Sequence, residues 1–110
     1  MAQTLPDQRI SDLAVAMERS RGGMATVWAY SSSMSELTLR VGWSGSPENI
    51  HYVCNGCVRI HAPTVWADAN LDFGRTESGE MMLSDRTAGF LVVCQQIRIQ
   101  TNVELKFVAS

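Results

Sequence analysis

The apolar residues of this chain change their spacing once, at the glycine pair Gly22-Gly23. Upstream they recur every three or four residues, which places them on one face of an α-helix. Downstream they alternate with small or polar residues, the period of a strand buried on one face. No second long helical pattern follows, which disfavours a parallel sheet with crossover helices. The sequence therefore predicts an α+β fold, with an N-terminal helix packed on a mainly antiparallel sheet that is bent or forms a partly open barrel.

The helix is predicted from about residue 5 to residue 21. Thr4 caps its start together with Asp7, three positions later, and Pro6 lies in the first turn, where a missing N–H costs nothing. Glycine is the usual residue at the far end of a helix because it tolerates a positive φ. The apolar stripe consists of Ile10, Leu13, Ala14 and Met17.

About six or seven antiparallel strands are predicted after the helix. Residues 24–30 and 36–43 alternate in hydrophobicity and form a predicted hairpin. Residues 90–94 are an unbroken apolar run, which is typical of a strand buried on both faces. Residues 68–79 are predicted to be an irregular loop. The remaining strand segments are 50–62, folded back on itself, and 97–107, with the short segments 65–67 and 80–83 as further candidates.

The strongest turn signal is the dipeptide Asn55-Gly56. Both central residues of a two-residue type I′ turn need a positive φ, and Asn-Gly is the preferred pair there. We therefore expect residues 50–62 to form a β-hairpin. In that hairpin Cys54 and Cys57 face each other across the ladder.

Length and charge limit the classes of protein that the chain can belong to. With 110 residues, of which 45% are hydrophobic, the whole chain, 1–110, is expected to be a single domain with one modest core. A net charge of −2 and a pI near 5.6 argue against nucleic-acid binding, which normally requires a basic excess. No apolar run approaches the roughly 20 residues of a membrane helix, and the N-terminus lacks an export pattern. We expect a cytoplasmic protein that binds neither nucleic acid nor membranes.

The segment His51-x2-Cys54-x2-Cys57-x3-His61 groups four potential metal ligands, and Cys94 is a distant fifth. Four nitrogen and sulfur ligands are the usual set of a structural zinc site. In the predicted hairpin, however, the two histidines point to opposite faces of the ribbon. The ligands left for one ion are Cys54, Cys57, His61 and Cys94, and reaching the histidine needs a local distortion. Zinc is therefore the alternative to a simpler hypothesis, in which reduced thiols flank a tight turn.

No catalytic motif is complete. Residues 42–45 lack the spacing of a nucleophile elbow. Residues 74–79 have the spacing of a phosphate loop, but Glu80 stands where that loop needs lysine. His51 and His61 are the candidates for general acid–base work by residue type. The sequence favours a non-catalytic protein, with an oligomeric enzyme as the alternative.

Three tryptophans and six methionines in so short a chain favour recognition by surface contact. Tryptophan and methionine are enriched at protein interfaces. For each tryptophan, packing in the core is the alternative. The residues predicted to take part in an interface are Trp28, Trp43, Trp66, Met81 and Met82.

The predicted function is a small non-catalytic binding or regulatory module that acts through protein–protein contact. The terminal run through Val103 and Phe107 is predicted to be an exposed edge strand, so a homodimer is one form of that contact. Two alternatives remain. One is a structural-zinc domain; the other is a carrier of a small ligand, with its pocket between helix and sheet near Trp66.

Overall fold

The computed structural model describes residues 4–102, with side chains from residue 12 onward. Within this range the chain forms one helix, α1, which spans Thr4–Ser20, and nine strands. The strands form a five-stranded first sheet, in the order β5-β1-β2-β3-β9, and a four-stranded second sheet, in the order β4-β8-β7-β6. The strand bounds are β1 (Met24–Ser31), β2 (Glu36–Gly42), β3 (Asn49–Asn55), β4 (Arg59–His61), β5 (Val65–Trp66), β6 (Asp72–Arg75), β7 (Met81–Asp85), β8 (Phe90–Cys94) and β9 (Gln96–Thr101).

The predicted α+β class, with one helix and an antiparallel sheet, is confirmed, and its details are corrected. The described chain has nine strands in two open sheets, where the sequence predicted about six or seven strands in one bent sheet or partly open barrel. One added strand, β6, lies inside the predicted loop and pairs with β7 through Phe73 and Leu83. The predicted strand through Val103 and Phe107 lies outside the described residues. In the described part, no helix is long and apolar enough to cross a membrane.

The helix ends where the sequence predicted, at the glycine pair. Gly22 has a φ of +80° and donates its N–H to the carbonyl of Ala69 at 2.9 Å. Gly23 donates to the carbonyl of Ser20 at 3.0 Å, and a Cβ on Gly23 would lie 2.6 Å from a methyl of Val41. The pair therefore gives both the left-handed conformation and the close approach that a helix end needs at this position. The predicted cap at Thr4 involves side chains outside the described ones.

The predicted hairpin of β1 and β2 is confirmed, and it contains a β-bulge at Trp28. Val27 pairs with Leu39 and Ala29 pairs with Thr38, so Trp28 is the extra residue of β1. A bulge bends its strand and redirects the side chains that follow. Because of this bulge, simple alternation does not place the aromatic residues of β1.

The hairpin predicted at Asn55-Gly56 is wrong. The strands on either side of the dipeptide, β3 and β4, belong to different sheets, and only Gly56 has a positive φ, +68°. The β3–β4 stretch runs antiparallel to the β8–β9 stretch through both sheets, with Asn55 opposite Gln96 in one sheet and Arg59 opposite Val93 in the other. The dipeptide therefore marks the bend at which this two-stranded ribbon passes from one sheet to the other.

The distant ribbon partner prevents the hairpin. At the bend, the N–H of Gln95 donates to the carbonyl of Asn55 at 3.0 Å, and the N–H of Val58 donates to the carbonyl of Val93 at 2.8 Å. These bonds occupy backbone groups that a hairpin would pair locally. A Cβ on Gly56 would lie 2.8 Å from the side-chain oxygen of Gln95, so the glycine also makes room for that side chain.

The core combines side chains from the helix and from both sheets. On β2, Leu37, Leu39 and Val41 face the core, which leaves Thr38 and Arg40 on the opposite face of the first sheet. Ser20 and Tyr52 are hydrogen-bonded at 2.6 Å within the core and fix the end of α1 on β3. The largest of the other fully buried side chains are Phe90, Ile50, Leu83 and Val92.

Candidate functional site

The candidate site lies on the face of the first sheet that points away from the core. Arg40 on β2 and His51 on β3 are direct cross-strand partners, so their side chains are neighbours on this face. The Nη1 atom of Arg40 lies 3.0 Å from Nε2 of His51, and its guanidinium carbon lies 5.0 Å from the ring centroid of Trp28. The rings of Trp28 and His51 are 6.3 Å apart. We call these three residues the Trp28 cluster.

The hydrogen bond within the Trp28 cluster fixes the protonation of His51. An arginine side chain can only donate, so Nε2 of His51 is the acceptor and the ring is neutral, with its proton on Nδ1. Burial lowers the pKa of His51 below 6.5, and the positive charge of Arg40 lowers this pKa further. His51 is only 4% exposed. The cluster therefore carries a single positive charge, on the guanidinium.

The guanidinium of Arg40 has no carboxylate partner among the described side chains. The ion pairs within that part of the chain join Arg21 to Glu18 and Arg98 to Glu36. A guanidinium has five N–H donors, and the bond to the imidazole takes one of them. Arg40 is therefore a half-buried cation that is held in place yet retains donors for another group.

An open groove of about 350 Å³ adjoins the cluster, and Arg40 forms part of its wall. Thr26, Ser44 and Ser46 contribute hydroxyl groups, Met24 and Trp43 contribute apolar surface, and Glu48 contributes a carboxylate. The groove thus combines one charge of each sign with apolar walls. Such a mixture fits a peptide or a small polar molecule.

Strand β1 carries three large exposed side chains: Met24 and Trp28 lie on this face, whereas Tyr30, which pairs with the core residue Leu37, lies on the opposite face at the edge of the sheet. Met24 is 53% exposed, Trp28 is 45% exposed and Tyr30 is 52% exposed. The short strand β5 pairs with β1 only at Ala25 and Thr26. Within the described chain, residues 28–31 therefore have no strand partner on that side, and this half of β1 is an exposed edge.

The three cysteines come together at the bend between the sheets. The thiols of Cys54 and Cys94 are buried and hydrogen-bonded to each other. The thiol of Cys57 donates to the carbonyl of Cys54 at 3.3 Å. The ribbon that crosses between the sheets causes this grouping, because it brings the ends of β3 and β8 together.

The surroundings of Cys54 and Cys57 favour the protonated thiol. The hydrogen bond to Cys94 raises the pKa of Cys54, and burial raises it further. The same hydrogen bond lowers the pKa of Cys94, which burial opposes. Burial raises the pKa of Cys57, the most accessible of the three, to about 11. Because the thiolate is the reactive form of cysteine, Cys57 is a poor nucleophile at neutral pH.

The structure does not bring His61 to the cysteines. His61 lies on β4, in the second sheet, and is exposed. Among the described residues, no group of three or more His, Cys, Asp or Glu side chains is arranged to hold a metal ion. The zinc alternative, with Cys54, Cys57, His61 and Cys94, stays a prediction that this geometry does not support.

The residues predicted for an interface fall into different environments. Trp28 is exposed, whereas Trp43 is half-buried and lies between the core and the groove. Trp66 donates its indole N–H to Oδ2 of Asp85 at 2.8 Å and packs on Phe90. The pair Met81 and Met82 is half-buried on β7.

Sequence reasoning missed the role of Arg40 in this site. The alternation of residues 36–43 puts Arg40 on the outward face of β2, where the structure has it, but nothing local indicates that the arginine meets His51. That contact depends on the pairing register of β2 and β3. Comparisons with known proteins found no match: no family model, no curated protein and no solved structure is significantly similar to this chain.

The geometry of the Trp28 cluster is suited to binding. A general base needs a free lone pair, and the Nε2 lone pair of His51 already accepts from Arg40. The guanidinium and the exposed indole of Trp28, in contrast, present donors and a flat apolar surface to solvent. Tryptophan and arginine are the side chains that contribute most to protein interfaces.

Proposed function

We propose that the protein is a small non-catalytic binding module that acts through protein–protein contact. Its contact surface is the face of the first sheet that carries the Trp28 cluster, together with Met24. The observation that supports this most directly is the exposed indole of Trp28, which a guanidinium fixed by His51 holds in position.

Fixed side chains make this surface well suited to binding. Association costs free energy when long or mobile side chains must be ordered. Here Arg40 is held between Trp28 and His51 before any partner arrives. The exposed edge of β1 at residues 28–31 adds backbone donors and acceptors that a partner strand can pair with.

A small-ligand carrier is the second candidate, and a different groove favours it. An open groove of about 270 Å³ lies between α1 and the first sheet, where Val15, Ile50 and Ile99 line it. Pockets that enclose a drug-sized ligand are generally larger, about 300–1,000 Å³. Trp66 is not among the residues that line this groove, although the sequence suggested a pocket near it. The groove therefore supports a carrier less well than the Trp28 face supports protein contact.

A display selection followed by mapping tests the proposed function. A library of unbiased peptides is selected against the full chain, and the bound surface is mapped by amide chemical-shift changes. We expect the changes to concentrate on residues 24–30, 40 and 51, and the substitution Trp28→Ala to weaken binding by about tenfold or more.

The matched control is Val58→Ser, which removes another large exposed apolar side chain, at the bend between the sheets. It should leave binding unchanged. Shifts confined to the second sheet, or equal losses in both variants, would contradict the proposed function. Light scattering of the full chain over a range of concentrations tests separately whether the partner is a second copy.

A further inference from the structure

We propose that Arg40 recognises a carboxylate, so that the groove beside the Trp28 cluster binds an acidic segment of a peptide partner. This inference rests on the proposed function and names the chemistry of the partner.

Arg40 is a half-buried cation that has no anionic partner among the described residues. Half-buried charges are normally paired, because their desolvation is not otherwise compensated. Within the described chain, Arg40 has a neutral imidazole on one side, the face of Trp28 on another, and no carboxylate within ion-pair distance. The planar fork of an arginine matches a carboxylate in two parallel hydrogen bonds.

A second arginine on the same face shows the contrast. Arg98, on β9, has Glu36 at 3.7 Å and the side-chain oxygen of Asn55 at 3.3 Å. Its charge is therefore balanced within the chain. The two arginines share one sheet face, yet only Arg40 has an uncommitted charge. The difference separates a structural arginine from one that is available to a ligand.

The other residues of the groove exclude ligands with dense negative charge. Glu48 lines the same groove as Arg40, so a ligand with dense negative charge, such as a nucleic acid or an anionic membrane, meets repulsion there. Met24 and Trp43 provide apolar walls. A peptide segment with one acidic side chain next to an apolar one satisfies all of these features. The net charge of −2 on the whole chain also disfavours a polyanion.

The test uses the full chain and a defined set of blocked hexapeptides. Each peptide carries one Glu or Asp next to one Leu or Phe, and each has an amide counterpart with Gln or Asn. Binding is measured by the change in tryptophan fluorescence. We expect the acidic members to bind about tenfold or more tightly than their amide counterparts.

Three variants test whether Arg40 is the residue that causes the preference for acidic peptides over their amide counterparts. Arg40→Gln should abolish the preference for acid over amide, and Arg40→Lys should retain part of it, because a lysine keeps the charge but not the fork. Arg98→Gln is the matched control and should keep the full preference. Equal losses in Arg98→Gln and Arg40→Gln would overturn the proposal, because they would show a general effect of charge.

Three further outcomes also overturn it. Peptides that bind the Trp28 face without discriminating acid from amide would refute carboxylate recognition and leave the proposed function standing, whereas peptides that bind elsewhere would refute both. Displacement of the acidic peptides by millimolar inorganic phosphate, or by vesicles of anionic lipid, would show that Arg40 binds phosphate groups rather than carboxylates.

Discussion

Trp28 and Trp66 lie on adjacent strands of one sheet and each contacts a charged side chain, but the two contacts are of different kinds. Trp66 donates its indole N–H to the carboxylate of Asp85, which is 1% exposed. Trp28 offers the face of its ring to the guanidinium of Arg40 and remains 45% exposed. One indole supports the interior of the fold, and the other covers a cation at the surface.

The difference shows that a polar contact contributes more to the stability of the fold when it is buried than when it is exposed. Oδ2 of Asp85 accepts from the Trp66 side chain and from the N–H of Asn70, both at 2.8 Å, and joins β5 and the loop after it to β7. Its Oδ1 is buried, with no hydrogen-bond partner in the described chain. Loss of such a contact leaves desolvated groups unpaired, whereas water replaces much of what an exposed contact provides.

The largest effect is expected at the buried contact. Asp85→Ala leaves the donors of Trp66 and Asn70 without their acceptor, and we expect it to lower the free energy of unfolding by about 3 kcal/mol. Urea denaturation measures this. Ser84→Ala, on the same strand, is the control and should cost less than about 0.5 kcal/mol. Equal effects of the two substitutions would mean that the buried carboxylate does not hold these strands together.

A smaller loss is expected when only the indole donor is removed. Trp66→Phe keeps an aromatic ring against Phe90 but leaves Asp85 with one donor fewer, and should cost about 2 kcal/mol. Trp43→Phe is the control, because the Trp43 indole donates to no carboxylate in the described chain. If both substitutions cost the same, packing volume rather than the hydrogen bond explains the role of Trp66.

The Trp28 cluster should respond to acid through His51. Burial and Arg40 lower the pKa of His51 in the folded protein, so below about pH 6.5 the unfolded chain binds a proton that the folded chain excludes. Stability from this group is therefore present above pH 6.5 and is lost as the pH falls, by at most about 1.4 kcal/mol per pH unit. Denaturation of the wild type and of His51→Gln from pH 7.5 to 5.5 measures it, and parallel curves would contradict it.

The smallest change in stability is expected at the exposed indole. Trp28→Ala removes a cation–π contact at the surface, which contributes less than about 1 kcal/mol. Urea denaturation should give nearly the wild-type midpoint. The fraction of tryptophan fluorescence that acrylamide can quench should fall, because the exposed indole is gone. A loss as large as that of Trp66→Phe would abolish the distinction between the two tryptophans.

The sequence predicted those parts of the fold that depend on nearby residues. The spacing of apolar residues and the stop at Gly22 defined the helix, and alternation defined the hairpin of β1 and β2. The error at Asn55-Gly56 arose because the preference for a turn is local, whereas the pairing that overrides it comes from β8 and β9, about 40 residues later in the chain. Strand β6 was missed because it offers little besides Phe73 to an apolar pattern.

The candidate site could be predicted only by residue type. The sequence singled out the tryptophans as interface candidates, but their separation into buried and exposed ones depends on the bulge at Trp28 and on the carboxylate of Asp85. The meeting of Arg40 with His51 follows from strand register, which one sequence does not reveal when the neighbouring turn is misassigned. The sequence brought Cys54 and Cys57 together through a hairpin that does not form; in the structure the cysteines meet across the bend between the sheets.

The bend at Gly56 and Gln95, where the two-stranded ribbon passes between the sheets, also affects how the protein folds. The β3–β4 and β8–β9 segments run next to each other as they pass from the first sheet to the second. One pair of chain segments therefore contributes two strands to each sheet. Neither sheet can be completed until β3 and β4 have met β8 and β9, and closing that long loop is an entropic barrier early in folding. The two sheets should therefore form and melt together, as one cooperative unit.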